Sequence, residues 1–353
     1  MTRKPTIKTV AARAGVAVST VSRYLNGRYV SRAAQDRVAR VIEELGYTRS
    51  WTARNLSLGR RGCIGVVVDS SKDPWFVQLL AGIEEELSTR DASLMLSSLE
   101  LTGEYDPRIA FEWIRGRRVD GLILAKSQRR ERSLLKAAIE ARLPAVTVAP
   151  DEAVEQVQIV RCDNVAAGVA VAHHLADLGH CDIAFAGGRA GSLDSIHRLK
   201  GLRDGLDERG IRLNPKHVFS CASYLADAGA EFARHFFDHQ YPVTAVVLAN
   251  DALAFGFMRV AQQLGVRMPQ DLSIVGFDGL PQGALFFPAL TTIVQPMREM
   301  GRAACQRLFD AIDDPGRRGT IEFPMTLLAR ESTGPASSTP KPSGLRLVRS
   351  ETP

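Results

Sequence analysis

A short segment near the amino terminus carries side chains suited to contacting another molecule. Val21 and Leu25 lie one turn apart in a predicted helix that begins at Val18, so both face inward. The outer face then consists of Val18, Ser19, Ser22 and Arg23. A guanidinium group can donate to both acceptors of a guanine, a hydroxyl can bond several partners, and valine can contact a thymine methyl group. This set is therefore suited to recognising a patterned polar surface such as a nucleic-acid groove.

The charge distribution points to the same partner. Residues 1–62 contain 13 Lys or Arg and three acidic residues, whereas the rest of the 353-residue chain is slightly acidic. A small basic segment before a large acidic body is typical of a nucleic-acid-binding head on a separate domain. A basic solvated face or a disordered arm would give the same charge, so the pattern inside the segment must distinguish them.

That pattern predicts three short helices. The first runs from about Ile7 to Ala14 after the candidate N-cap Thr6, and Gly15 allows a sharp turn into the second. The third begins near Ser31 and stops at Gly46. Three helices with a glycine turn between the first two indicate a helix-turn-helix.

The same residues resemble the headpiece of the lactose-repressor/galactose-repressor family of bacterial transcriptional regulators. The matching motifs are Thr6-Ile-Lys-Thr-Val-Ala-Ala-Arg-Ala-Gly-Val16, Ser19-Thr-Val-Ser-Arg23, Leu25-Asn-Gly27 and Glu43-Glu-Leu-Gly-Tyr47. The resemblance implies that the second helix lies in the DNA major groove with Val18, Ser19 and Arg23 at base edges. It further implies phosphate contacts from Thr20, Ser22, Asn26 and Tyr47.

Residues 50–62 are expected to form a hinge helix and linker. Nine residues, 50–58, are too few for a stable isolated helix in water. In the resembled family the matching segment folds when two subunits pair over the minor groove, and a leucine from each wedges between base pairs. Leu56 stands at that position here; alternatively, it is an ordinary linker residue that packs on its own body. The role of Trp51 is left open.

After Gly62 short apolar runs alternate with amphipathic stretches, which predicts parallel sheets with helical crossovers. The expected strands are 64–69, 93–97, 121–125, 145–149, 158–162, 183–186, 243–248 and 272–277. The expected helices include 76–90, 132–141, 166–178, 199–209 and 252–264. Roughly 270 residues are long for one such sheet, so two lobes are expected.

The body continues the resemblance, which covers about residues 5–334. Its motifs include Asp73-Pro-Trp-Phe76, Ala249-Asn-Asp251, Gly276-Phe-Asp278 and Pro288-Ala-Leu-Thr-Thr292. They imply an α/β fold: a three-helix helix-turn-helix head (1–49), the hinge (50–62) and a two-lobed periplasmic-binding-protein-like body (63–333). The first lobe would comprise about 63–163 and 295–324, and the second about 164–294 and 325–333. A Pro/Ser-rich tail, 334–353, is expected to be disordered.

The resemblance also implies an effector pocket between the lobes. Its matching positions are Asp69, Trp75, Phe76, Arg198, Tyr224, Asn250 and Asp278. Aromatic faces beside paired charged groups suit a pyranose or a nucleobase-ribose. Several of these residues have simpler explanations: Asp278 could cap a turn, Arg198 could lie on a helix surface, and Tyr224, Asn250 and Phe76 could be packing residues. Ala125 and Ala149 replace polar residues found in relatives, which favours a different effector.

Other classes of protein are disfavoured. The chain has no apolar run of about 18 residues, and its amino terminus lacks the apolar core of a signal peptide, so a cytoplasmic protein is expected. Its five scattered cysteines show no disulfide or zinc spacing. Phosphate-loop, dinucleotide, nucleophile-elbow and metalloprotease motifs are missing, so neither an enzyme nor a cofactor or metal is expected.

The expected function is a sequence-specific regulator, a repressor released by a small carbohydrate or its derivative. The expected partners are double-stranded DNA with a pseudo-palindromic operator, the effector and a second copy of the chain, with no membrane. The tail has too few leucines for a tetramer-forming coiled coil, so a homodimer is expected. Two alternatives stay open: a regulator that responds to a nucleobase or nucleoside as co-repressor, and a cytoplasmic sugar-binding protein without gene control.

Overall fold

The computed structural model describes residues 5–25, 27–47, 60–90, 92–99, 106–125, 132–150 and 156–337. The chain forms two compact units, residues 1–62 and residues 63–353. Within the described ranges these units contain eleven α-helices and twelve β-strands. The predicted fold class, an α-helical head followed by an α/β body, is confirmed.

The head consists of α1 (Ile7–Ala14), α2 (Val18–Leu25) and α3 (Arg32–Leu45). The predicted N-cap of α1 is present as a capping box, because Thr6 Oγ1 accepts from the Thr9 amide (3.3 Å) and Thr9 Oγ1 accepts from the Thr6 amide (3.3 Å). Gly15 ends α1 in the left-handed region, at φ 62°, and so allows the turn into α2.

One small apolar core holds the three helices together. Its buried members are Val10, Ala11, Ala14, Val21, Val38 and Val41. They come from all three helices, and their spacing of three and four residues puts them on one face of each. This inward face fixes which side of α2 points outward.

The body contains two six-stranded sheets. The helices are α4 (Trp75–Ser88), α5 (Arg108–Arg115), α6 (Arg132–Glu140), α7 (Asn164–Asp177), α8 (Leu193–Asp207), α9 (Ala226–Asp238), α10 (Asp251–Gln263) and α11 (Met297–Asp313). The strands are β1 (Cys63–Val68), β2 (Ser93–Ser98), β3 (Gly121–Ala125), β4 (Ala145–Val148), β5 (Gln158–Cys162), β6 (Ile183–Gly187), β7 (Val218–Ser220), β8 (Ala245–Leu248), β9 (Ser273–Asp278), β10 (Thr291–Val294), β11 (Gly319–Phe323) and β12 (Thr326–Leu328).

The first sheet has the order β2-β1-β3-β4-β5-β11, and all its pairs are parallel. The second has the order β7-β6-β8-β9-β10-β12 and is parallel except for the last pair. Central strands such as β1 are buried on both faces, because helices cover both sides of a parallel sheet. We call the first sheet with its helices the first lobe, and the second sheet with its helices the second lobe.

The chain passes three times from one sheet to the other. β5 of the first sheet ends at Cys162, and α7 then packs in the core of the second lobe. Residues 295–296 lead from β10 back to α11, which packs in the core of the first lobe. Residues 324–325 join β11 to β12. These three passages place the carboxyl ends of both sets of strands at a common cleft.

Four strands, β7, β10, β11 and β12, were not among the predicted elements, and three of them (β7, β11 and β12) are edge strands. β7 has three residues, and β11 reads Gly-Thr-Ile-Glu-Phe with mostly exposed side chains. A short edge strand carries neither the apolar run nor a strict alternation of buried and exposed positions. Pairing with β6 gives β7 its extended conformation, and pairing with β5 does the same for β11.

The ordered chain continues past the tail boundary predicted at Gly334. His180 Nε2 donates to the Gly334 carbonyl oxygen (3.0 Å), and the Ala336 amide donates to the Leu178 carbonyl oxygen (2.8 Å). Upstream, the Ser332 hydroxyl donates to the Ile274 carbonyl oxygen (2.6 Å). The predicted disorder therefore started too early, and the rest of that tail, 338–353, lies outside the described residues.

We expect this attachment to make the stability of the body depend on pH. Burial lowers the pKa of His180 and of His174, whose Nε2 lies 2.9 Å from Thr333 Oγ1. Both rings are neutral in the fold, whereas the unfolded chain binds protons below about pH 6.5. The contribution of these two histidines to the free energy of unfolding should therefore be fully present above about pH 7. It should be lost as the pH drops below about 6.5. Denaturant unfolding of His180→Gln should show a smaller loss between pH 7.5 and 5.5 than the wild type.

The exposed His239 offers a matched control, since His239→Gln makes the same substitution at a ring that is not buried. An equal pH dependence in wild type and His180→Gln would show that His180 does not contribute.

In the described part of the chain, none of the helices combines the length and the apolar character needed to cross a bilayer. The five cysteines are free thiols. No group of three His, Cys, Asp or Glu side chains that could hold a metal ion occurs within the described ranges.

Candidate functional site

The outer face of α2 is exposed, as the DNA-reading prediction requires. Val18 is 42% exposed, and Ser19 and Arg23 are exposed as well. Thr20 and Ser22 are half-buried beside them. One apolar group, one hydroxyl and one guanidinium therefore project from the first turn and a half of a helix, which is the part that meets base edges in helix-turn-helix proteins.

The remaining predicted DNA contacts have different positions. Tyr47 is half-buried against the core of the head, which limits its contact with a phosphate to the exposed part of its side chain. Asn26 and Leu56 lie outside the described residues, and so does Trp51. Tyr29, which the sequence reasoning missed, is 90% exposed between α2 and α3. It lies in a loop without periodicity, so only its size and its place in a basic head could have drawn attention to it.

The second set of predicted residues lies at the ends of strands in both lobes. Asp69 follows β1 and is half-buried, and Asp278 is the last residue of β9. Asn250 follows β8, whereas Trp75 and Phe76 begin α4. Carboxyl ends of parallel strands are where such folds bind ligands, so these residues share the cleft.

A hydrogen-bonded bridge crosses that cleft. Trp75 Nε1 of the first lobe donates to Gln295 Oε1 (3.3 Å), and Gln295 Nε2 donates to Asp278 Oδ1 of the second lobe (2.5 Å). Phe76 packs edge-to-face on Trp75, with ring centroids 5.2 Å apart. Gln295 thus links an aromatic face of one lobe to a carboxylate of the other, and it was not among the predicted residues.

Arg198 is buried rather than exposed on the surface of α8. It is 2% exposed, its Nε donates to Asn164 Oδ1 (2.7 Å), and its Nη1 donates to the Ala249 carbonyl oxygen. The guanidinium carbon lies 4.7 Å from the centre of the Phe277 ring, next to Asp278. These two bonds fix the orientation of the guanidinium group.

Two further polar residues complete this network. Asn164 Nδ2 donates to Asp194 Oδ1 (2.9 Å), so Asp194 and Arg198 are joined through Asn164. The sequence reasoning missed both partners of Arg198. The spacing of four residues on α8 between Asp194 and Arg198 was the available signal, because side chains four residues apart share a helix face.

Asn250 and Tyr224 have clear structural roles. Asn250 Oδ1 accepts from the Leu253 amide (2.9 Å) and caps α10, and its Nδ2 donates to the Tyr224 carbonyl oxygen (3.0 Å). The Tyr224 hydroxyl lies 2.7 Å from Ser192 Oγ and 2.6 Å from Ser195 Oγ, and burial raises the pKa of this phenol. Tyr224 is therefore held as a neutral phenol with a fixed ring.

The arrangement is suited to binding rather than to catalysis. Indole and phenol faces can stack on a sugar ring, and the Asp278, Asp194 and Arg198 groups can bond neighbouring hydroxyls. Within the described residues, this cleft offers no nucleophile paired with a general base, which covalent catalysis would need.

Comparison with known proteins relates both the head and the body to known families. The model of the lacI family of bacterial regulatory proteins matches residues 6–50, and the model of the periplasmic binding protein-like domain matches residues 172–333. The transcriptional regulator DegA of Bacillus subtilis (strain 168) is 30% identical over 345 residues, which cover 95% of this chain and 100% of DegA.

Two solved structures give the same relationship. The lac repressor dimer bound to operator and the anti-inducer ONPF is similar with a TM-score of 0.81 at 25% identity, covering 94% of this chain and 100% of the other. The complex of the transcriptional regulator CelR with cellobiose has a TM-score of 0.70 at 29% identity, covering 93% of this chain and 99% of CelR. The head, the two-lobed body and these full-length similarities together show that the chain belongs to the lacI family of bacterial regulatory proteins.

Proposed function

We propose that this protein is a DNA-binding transcriptional repressor whose operator affinity is controlled by a small molecule bound between the two lobes. The observation that carries this proposal is the exposed set on α2, Val18, Ser19 and Arg23, held on a three-helix head ahead of a ligand-binding cleft. DegA, of similar length, is named a transcriptional regulator. In this proposal the protein is a regulator and not an enzyme. It acts in the cytoplasm, where the chromosome is accessible.

The protein acts as a homodimer, in our proposal. Leu285 and Phe287 of the second lobe are 84% and 87% exposed, and Val77 and Leu96 of the first lobe are 61% and 46% exposed. Burying such side chains against a protein partner would remove their apolar surface from water, which is favourable. A second copy is the partner of choice, because a two-fold dimer presents two α2 helices to a palindromic operator.

The effector is a carbohydrate, in our proposal. Asp278, Asp194 and Arg198 supply charged groups for hydroxyls, and Trp75 supplies an aromatic face. The solved structure of CelR, which has a similar fold, is that of its complex with cellobiose. A nucleobase or nucleoside acting as co-repressor is the alternative that the same side chains would permit. A sugar-binding protein without gene control would not need a DNA-contacting surface such as the exposed set on α2.

Release of DNA follows from movement of the lobes. A ligand that bonds both Trp75 and Asp278 favours one arrangement of the lobes, and its differential affinity for the two arrangements sets the size of the response, typically about 1–3 kcal/mol. In this proposal residues 50–62 carry the change to the heads, and Leu56 acts as the minor-groove wedge. The lobes comprise about 63–163 with 295–324, and about 164–294 with 325–333.

A selection from fragmented genomic DNA tests the function. The purified full-length protein is mixed with fragments, bound DNA is recovered by gel shift, and the enriched sequences are compared. We expect a pseudo-palindrome with two half-sites, and loss of binding when a saccharide that raises the melting temperature is added. A panel of mono- and disaccharides that includes cellobiose and ribose, and also hypoxanthine and guanosine, distinguishes the two effector classes. Enrichment of no sequence would contradict the proposal.

Binding to the selected operator should depend steeply on salt. Each head and linker contains 13 Lys or Arg residues, and phosphate contacts release condensed counterions. If the dimer neutralises about six or more phosphates, affinity should fall roughly 1,000-fold between about 50 and 200 mM salt. Fluorescence anisotropy with labelled operator measures this slope. A flat salt dependence would rule out phosphate contacts as a main source of affinity.

A further inference from the structure

A second carboxylate lies behind the cleft, at the start of α10. Asp251 is 0% exposed, its Oδ2 accepts from the Leu280 amide (2.7 Å), and its Oδ1 accepts from the Thr292 hydroxyl (2.6 Å). A buried carboxylate is costly unless it is fully bonded. Burial and the neighbouring Asp278 raise the pKa of Asp251 well above its usual value. A group this costly to bury calls for a specific role.

The atoms that Asp251 holds belong to the turn directly after Asp278. Leu280 is two residues beyond Asp278, and the intervening Gly279 amide donates to Thr292 Oγ1 (3.3 Å). Asp251 and Thr292 thus fix both residues of this turn. Asp278 itself has φ 117°, a backbone conformation that non-glycine residues rarely adopt, and such a conformation persists only when its surroundings hold it.

The other side of Asp278 is held by the bridge across the cleft. The Gln295 backbone amide donates to the Asp278 backbone carbonyl oxygen (3.1 Å), in addition to the side-chain bond between the two residues. Gly276 provides the space for this arrangement, because a Cβ atom there would lie 2.3 Å from Asp251 Oδ1. Asp278 is therefore clamped between Asp251 with Thr292 behind it and Gln295 in front of it.

We propose that Asp251, together with the Thr292 hydroxyl, is the positioning residue that aims the Asp278 carboxylate at the effector and at the Gln295–Trp75 bridge. This inference rests on the proposed function of Asp278 in effector binding. The orientation of Asp278 can nevertheless be followed without an effector, because Trp75 Nε1 reports on the bridge.

The test uses strand β10, which offers a matched pair of buried threonines. Thr292→Val removes the hydroxyl that bonds Asp251 while keeping the shape, and Thr292→Ser restores a hydroxyl. Thr291→Val is the control: Thr291 is also 0% exposed, but its hydroxyl bonds the Arg330 amide (2.9 Å) and Thr333 Oγ1 (2.9 Å) instead. Asp251→Asn is the fourth variant.

The measurement is the exchange with D₂O of the Trp75 indole proton in full-length ¹⁵N-labelled protein, with its signal assigned through Trp75→Phe. We expect about tenfold faster exchange in Thr292→Val and Asp251→Asn, the factor for losing roughly one net hydrogen bond. Thr292→Ser and Thr291→Val should exchange at the wild-type rate, even though Thr291→Val lowers the melting temperature. The test does not depend on whether Asp251→Asn folds, because the three threonine variants decide the outcome.

Equal exchange rates in Thr292→Val and the wild type, or equal acceleration in Thr291→Val, would overturn the inference. Failure of the proposed function would appear separately, as an unchanged wild-type melting temperature with every compound of the panel. The two failures are therefore distinguishable.

Discussion

Asp278→Asn should abolish release of the operator by the effector at concentrations that release the wild type. Asp278 is the carboxylate of the cleft that is fully buried and joined to the bridge between the lobes. In the proposed function, replacing it with an amide of the same shape removes its charge-assisted bonds to ligand hydroxyls, each worth about 1.5–3 kcal/mol. The half-releasing concentration should rise by roughly 100-fold or more.

Fluorescence anisotropy with labelled operator, titrated with the effector found in the panel, measures this shift. Asp207→Asn at the exposed end of α8 makes the same chemical change outside the cleft and should respond like the wild type. Operator affinity without effector should be the same for all three proteins. If Asp278→Asn releases operator at the wild-type effector concentration, the effector binds somewhere else.

Arg198→Ala is a less clean test of the same site. Arg198 is almost wholly buried, and its guanidinium group donates hydrogen bonds to Asn164 Oδ1 and to the Ala249 carbonyl oxygen. Removing it leaves buried polar groups without their donor, which costs about 1–3 kcal/mol for each such group. A loss of effector response in this variant would therefore combine lost ligand contacts with lost stability.

Arg23→Ala should weaken binding to the selected operator by about 1–3 kcal/mol and relax the preference at one base pair of each half-site. Arg23 is exposed on the outer face of α2, so its replacement should leave the head folded. A guanidinium group that bonds both acceptors of a guanine would account for that base preference. Competition between operator and random DNA measures both effects.

Arg23→Lys separates base reading from phosphate contact, because lysine keeps the charge but cannot form the same bidentate pair. We expect it to retain affinity for random DNA and to lose preference for the operator. Arg40→Ala, an exposed arginine on α3, is the control and should affect operator and random DNA equally. An equal loss on both DNAs for Arg23→Ala would make Arg23 a phosphate contact.

The head could be predicted well because its determinants are local. The Thr6 cap, the Gly15 turn and the inward position of Val21 all follow from neighbours within a few residues. The alternation of strands and helices in the body was equally local, and several strand boundaries agree with the structure to within a residue. The edge strands β7, β11 and β12 and the strand β10 next to β12 were missed, because pairing with another strand determines them.

The resemblance to a family supplied the candidate pocket positions, and the structure adds how they are supported. Asp278 and Trp75 were singled out, but Gln295, which joins them, lies 220 residues from Trp75 along the chain. Asn164 lies 34 residues from its partner Arg198, and Asp251 lies 29 residues from its partner Leu280. Such partners follow no periodicity, so the linear pattern contains no sign of them.

The amino-acid sequence by itself determined the three-helix head, the exposed outer face of α2 and the α/β character of the body, because helix spacing, caps and apolar runs act over a few residues. Only the tertiary structure decided that Arg198 is buried and that Gln295 connects the two lobes. It also decided that Asp251 supports the turn after Asp278. Each of these depends on strands from distant parts of the chain ending at the same cleft, and that meeting is set by the packing of whole sheets rather than by any local signal.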